Sequence, residues 1–256
     1  MVETLLAALH QPQTWLFFGI GFVAQLCDGS LGMGFGAISS TALAAIGLPR
    51  AVASASVNGA KLFTGAASGI AHLLHRNVDG RMLVTLAIAG GLGGYLGATV
   101  LAHYASRWVG IFTSSYLLLV GAYILSRAFR EPPEAIRFHH VGGVGFAGGF
   151  LEALSGVWGP LVTSNLVAFG ANPRHAIGSG NVAETFVAGV VFTVLVKHLG
   201  IAQLSVSVLG LLLGALVASP VAARLTREIP RRTLMIGVGI LVMALSLLRL
   251  VRDLLS

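Results

Sequence analysis

Asp28, Lys61, Glu152 and Glu184 each stand in a stretch of sequence that is otherwise almost free of charge. A charge inside an apolar run is expensive, so by default it lines a cavity or pathway, or finds a partner of opposite sign. The three carboxyl groups suit proton-coupling or gating chemistry. Asp28 and Glu152 have a second use: each is followed by a helix-breaking stretch, and a carboxylate there can cap the free N–H groups of the next helix. Lys61 is the best single candidate to attract an anion; the alternative is a structural ion pair with Glu184. Asn58 and Asn181 stand three residues before Lys61 and Glu184, a spacing that puts each pair on one helix face. Two polar triplets, Ser39-Ser40-Thr41 and Thr163-Ser164-Asn165, add hydroxyl and amide donors that suit an oxyanion. Helix N-termini nearby would add free N–H groups and positive dipole. Packing between helices is the competing use of these small polar residues.

The segments that must position these groups are apolar helices. Of 256 residues, 55% are hydrophobic and only 10% charged, and the mean hydropathy is +0.87. A soluble domain carries about 25% charged residues. Neither Met82 to Tyr104 nor Ile201 to Ala223 contains an Asp, Glu, Lys or Arg. About 20 apolar residues suffice for a helix to cross the hydrocarbon core, and backbone in lipid must satisfy its own hydrogen bonds. Barrel strands would alternate in polarity, and these runs do not. The expected fold class is an all-α integral membrane protein, multi-pass, in the cell inner membrane.

The same composition excludes several function classes. The net charge of +7 comes from residues in short loops, where they set membrane orientation rather than form a nucleic-acid patch. A single cysteine, Cys27, rules out an internal disulfide and a thiolate metal cluster. No basic n-region precedes the first apolar run, so no cleavable signal peptide is expected. His72 and His75 lack an acid or cysteine at ligand spacing and are expected at the interface, while His139-His140 falls in a linker. No metal and no cofactor are expected. The absence of a phosphate-binding Gly-x-x-x-x-Gly-Lys-Ser/Thr loop argues against ATP hydrolysis. Ser155-Gly156 is the sole support for an intramembrane serine protease, which needs a histidine within reach; the chain reads as a non-enzyme. Its expected partners are a small anionic substrate and the bilayer, with a homodimer left open.

Shifting the chain by 124 positions aligns its halves without a gap: Gly21-Phe22 falls on Gly145-Phe146, Asp28 on Glu152, Pro49-Arg50 on Pro173-Arg174, and Arg107 on Arg231. Matches of Gly, Pro, Arg and acids carry weight in a chain rich in Leu, Ala and Val. Residues 1–126 and 141–256 are therefore expected as tandem repeats, joined by the polar linker 127–140. The first apolar run of each half is too long for one span, and glycines interrupt it after Asp28 and after Glu152. If each such run enters and returns as a hairpin, Arg76, Arg81, Arg127, Arg130, Arg137, Arg174, Arg224, Arg227, Arg231 and Arg232 share one face. That face is then cytoplasmic. Each half is left with an odd number of crossings, so the halves are inverted, each beginning with a broken or re-entrant helix pair.

The acid, the glycine-rich break, the turn Gly47-Leu48-Pro49-Arg50-Ala51 and its second copy Gly170-Ala171-Asn172-Pro173-Arg174 resemble the sulfite exporter TauE/SafE family. So does His75-Arg76-Asn77-Val78-Asp79-Gly80-Arg81, followed by a helix with Gly90, Gly91, Gly93, Gly94 and Gly97. The resemblance covers nearly the whole chain. It implies transport of sulfite, an organosulfonate or a related sulfur oxyanion. The sequence departs from the family at Thr41 and Asn165, where a proline is usual, and at Ser54-Ala55-Ser56 and Gly178-Ser179-Gly180. A metal or other ion permease is the alternative within transport.

Overall fold

The computed structural model describes residues 11–31, 34–104, 107–127, 129, 140–163, 165–166, 169, 171–201, 204–228 and 231–255. Among them every regular element is helical: α1 (Pro12–Leu31), α2 (Phe35–Ala45), α3 (Arg50–Leu74), α4 (Gly80–His103), α5 (Arg107–Arg127), α6 (Val141–Ser155), a π turn (Gly159–Thr163), α7 (Pro173–Leu199), α8 (Ser205–Glu228) and α9 (Arg231–Leu255). Most of the linker 127–140 lies outside the described residues, as does Ser164.

Local sequence sets where these helices start and stop. Asp79 caps α4 by accepting from the Met82 N–H at 2.8 Å, and Asn172 caps α7 by accepting from the Arg174 N–H at 3.0 Å. Such side-chain acceptors satisfy N–H groups that have no partner within the helix. Pro173 opens α7 at a position that needs no N–H. The breaks fall at glycines with positive φ: Gly34 at 127° before α2, and Gly156 at 71° after α6.

Glycine contacts fix the relative direction of the helices. Between α3 and α7, Gly59 meets Phe192, Gly65 meets Thr185 and Gly69 meets Val182, so the two run antiparallel. Helices α5 and α9 are also antiparallel: Gly121 lies on Gly239 and Met243, while Arg107 reaches the Leu254 carbonyl at 2.6 Å. By contrast α4 and α6 run parallel, with Gly142 facing Thr85, Gly145 facing Leu86 and Gly97 facing Phe150 and Ala153. Helices α1 and α8 pair the same way, Gly210 against Thr14 and Phe17, Gly214 against Phe18 and Phe22. The chain therefore reverses at both breaks. His140, at the start of α6, packs its ring 5.6 Å from that of Phe169, beyond the π turn, so this segment enters and leaves at one end of the bundle.

Two buried clusters hold the bundle. One surrounds the fully buried Trp158 and joins α4, α6 and α7; the other, around Phe17, Phe35, Val57 and Leu211, joins α1, α2, α3 and α8. Outward faces are apolar as well: Phe63, Ile88, Leu119 and Phe186 are all more than half exposed. Large apolar side chains exposed in such number mark faces made for something other than water. Two helices, Gly80–His103 and Arg174–Leu199, are long and apolar enough to cross a membrane by length and composition. Only 39% and 28% of their apolar windows are buried, so most of each window faces outward.

Candidate functional site

The two breaks meet near the middle of the bundle. A methyl group at Gly36 would overlap the Gly156 carbonyl and crowd the Lys61 ammonium, so the backbones of the two broken segments touch. Ser40 donates to the Ser155 carbonyl at 2.6 Å, and Ser54 to the Ala153 carbonyl at 2.6 Å, tying α2 and α3 to the end of α6. Both acids before the breaks accept from the backbone beyond them. Asp28 Oδ1 accepts from the Phe35 N–H at 3.1 Å, and Glu152 Oε2 accepts from the Trp158 N–H at 2.9 Å. Each carboxylate thus satisfies a donor that the broken helix leaves free.

Lys61, on α3, sits beside this crossing. Its Nζ donates to Glu152 Oε1 at 2.7 Å and to Glu184 Oε1 at 2.6 Å. The environments of the two carboxylates differ. The Glu152 side chain is 0% exposed and both its oxygens are engaged, whereas that of Glu184 is 21% exposed. Asp28 lies within electrostatic reach of Lys61, Glu152 and Glu184. One cation therefore faces three carboxyl groups. Buried charges of this kind persist only when paired and hydrogen-bonded.

A cavity of about 250 Å³ opens on the free side of Lys61 and Glu184, lined also by Asp28, Thr163 and Asn181. From Lys61 it follows Gly65, Ser68 and His72 along one face of α3, toward the end of the bundle where Arg174 binds Asn77 and the His75 carbonyl. The opposite end is closed by a network on the last turn of α9: Arg50 pairs with Asp253 at 2.6 Å, Arg249 approaches the same carboxylate at 3.8 Å, and Arg252 reaches the Ala45 carbonyl. Arg50 and Arg174 both bind protein groups.

The candidate residues divide into two sets. Lys61, Asp28, Glu184, Thr163 and Asn181 share the cavity, and Glu152 backs it. The Asn181 Oδ1 is buried without a hydrogen-bond partner among the described residues. The other set spends its polar groups elsewhere. Thr41 donates to the Ala37 carbonyl and Asn58 to the Ser54 carbonyl; Ser40 joins α6. Asn165 donates to Leu161 and lines a separate hollow with His140 and Phe169. Ser39 is fully buried away from the cavity lining, and its hydroxyl has no partner among the described residues. Gln25, Thr64, Ser68, His72 and Thr185 line the cavity without having been singled out as binding residues. The signal for three of them is present in the sequence: Lys61, Thr64, Ser68 and His72 recur at three- and four-residue spacing, a polar stripe along one face of α3.

The chain is 34% identical over 234 residues to the probable membrane transporter protein YtnM of Bacillus subtilis (strain 168), a match that covers 88% of this chain and 78% of that protein. No solved structure matches the chain significantly. Residues 17–249, which include both breaks, Lys61 and all three acids, match the sulfite exporter TauE/SafE family. This chain belongs to the sulfite exporter TauE/SafE family of membrane transporters.

Proposed function

We propose that the protein is a multi-pass secondary transporter of the inner membrane that exports a small sulfur oxyanion, sulfite or an organosulfonate. The observation that carries this reading is Lys61: a lysine ammonium at the inner end of a cavity that also presents Thr163, Asn181 and Thr185. An anion that sheds water there needs a fixed cation and hydrogen-bond donors in return. We further propose that residues 1–126 and 141–256 are inverted repeats. The antiparallel pairs α3–α7 and α5–α9, each formed by elements that the 124-residue offset equates, support that reading. So do the parallel pairs α1–α8 and α4–α6, which exchange under the same offset. The cavity then faces the arginine-rich, cytoplasmic end.

The test is uptake of labelled sulfite, sulfoacetate, thiosulfate and sulfate into everted vesicles. The expected outcome is saturable uptake of at least one sulfur oxyanion that is lost in Lys61→Met; no uptake of any of them would overturn the assignment. The surplus of carboxylates around Lys61 favours a second reading, a cation permease, which the same vesicles test with divalent metal ions.

A further inference from the structure

The salt bridges at the cavity raise a question of charge. Lys61 already gives two of its three ammonium hydrogens to Glu152 and Glu184 at 2.7 and 2.6 Å, and its charge is matched twice over. An incoming anion would meet an ammonium already neutralised by two carboxylates, with Asp28 a third within electrostatic reach. Repulsion between like charges in a poorly hydrated site is strong enough to exclude it. For an anion to bind, one carboxylate must leave Lys61 or lose its charge.

The groups that face Glu184 narrow the choice. From α3 come Lys61 and, further out in the same cavity, His72; from α6 comes Glu152; from α1 comes Asp28. Glu152 has no exposed surface and holds the Trp158 N–H with its second oxygen, so it cannot leave without opening the break. Asp28 holds the Phe35 N–H and makes no hydrogen bond to Lys61. Glu184 has neither restraint. Among the described residues its one side-chain hydrogen bond is with Lys61, it lines the cavity, and it is the more exposed of the two carboxylates on that ammonium.

We propose that Glu184 is the exchangeable partner of Lys61, and that one proton binds Glu184 for each anion that takes its place. The proton comes from the bulk solvent through the cavity and goes to a Glu184 carboxyl oxygen. The released Lys61 N–H then donates to an oxygen of the substrate. Charge balances, because the site gains one proton and one negative charge together. Anion and proton consequently cross as a pair, in whichever direction their summed gradients point. Glu152 and Asp28 remain structural caps throughout. This inference rests on the anion-transport reading above and assigns its coupling residue.

The experiment uses purified full-length protein and a labelled sulfonate, whose own charge is constant from about pH 6 to pH 8. Wild-type protein should take up about one proton per anion bound in weakly buffered solution. In proteoliposomes, a gradient of one pH unit should drive accumulation toward a ceiling of about tenfold for one-to-one coupling. Glu184→Gln leaves Lys61 permanently available. It should keep anion binding and equilibrative exchange, lose the pH dependence of both, and lose gradient-driven accumulation. Uphill accumulation retained in Glu184→Gln would overturn the proposal. So would binding by wild-type protein with no proton uptake, a result that needs no variant. Wild-type protein that neither binds nor moves the sulfonate, nor sulfite or thiosulfate run in parallel, would instead overturn the anion-transport reading itself.

Discussion

Lys61 and its two carboxylates are held by each other as much as by the helices that carry them. Removing the ammonium strands two acids in a buried site, and breaking a buried pair in this way costs about 3–5 kcal/mol. Lys61→Met should therefore lower the unfolding temperature in detergent, and Lys61→Met/Glu184→Gln should recover much of that loss. Transport separates structure from function: if Lys61 touches the substrate, the double variant stays inactive although it is stable. Flux near wild type in the stable double variant would rule out direct contact. The acids at the breaks make a second test. Asp28→Asn keeps an oxygen that can accept from the Phe35 N–H, whereas Asp28→Ala loses the cap, worth about 1 kcal/mol. Glu152→Gln also discards half of the counter-charge of Lys61. Thermal unfolding should show Glu152→Gln and Asp28→Ala below wild type and Asp28→Asn close to it. Vesicle flux should be impaired unequally, more by Glu152→Gln than by Asp28→Asn.

At the scale of the element, the breaks work because two backbones approach without side chains between them. Gly36 and Gly156 touch, and Gly156 also adopts a φ of 71°. Alanine at either position must push the segments apart, and overpacking of this kind costs about 1–3 kcal/mol. The parallel contact of α4 and α6 has the same character, since a methyl at Gly149 would overlap the Gly90 carbonyl. Gly19 in α1 and Gly237 in α9 are controls, because a methyl there meets nothing within 4 Å. Gly36→Ala, Gly156→Ala and Gly149→Ala should lower the unfolding temperature. Gly19→Ala and Gly237→Ala should leave it unchanged or raise it, by up to about 1 kcal/mol of helix propensity. Equal behaviour of the two groups would show that the close approaches carry no stability.

Across the whole molecule the two ends differ. One end is closed by Arg50, the first residue of α3, with Arg249 and Arg252 near the end of α9, and the rings of His103 and His198 meet at 4.7 Å. At the other end Arg174 holds the α3–α4 turn, Arg232 lies over the Phe129 ring at 4.5 Å, and the cavity continues outward past His72. Under the proposed inverted-repeat reading the arginine-rich loops belong to this second end, and the positive-inside rule would make it cytoplasmic. The corresponding prediction is topological. Single cysteines in 127–140 and 224–232, in a Cys27→Ser background, should react with impermeant reagents only from the cytoplasmic side. Labelling from the periplasm would overturn the orientation.

Helical class, lipid-facing composition and the positions of the breaks follow from the sequence alone, because each depends on neighbours along the chain. An uncharged run such as 82–104 has few alternatives to a helix, and it forms Gly80–His103. Glycines weaken a helix locally, and both long runs break at a glycine with positive φ, Gly34 and Gly156. The cap on Asp28 and the pairing of Lys61 with Glu184 were among the alternatives that local spacing left open. Tertiary structure decided between sets that spacing treats alike. Periodicity says which residues share a face of one helix, but not which faces meet across 91 residues, the separation of Lys61 and Glu152. That meeting depends on the crossing of the two broken segments, and so on the contact of Gly36 with Gly156. The same crossing turns Thr163 and Asn181 toward Lys61 and leaves Ser40 and Asn58 to hold the backbone together.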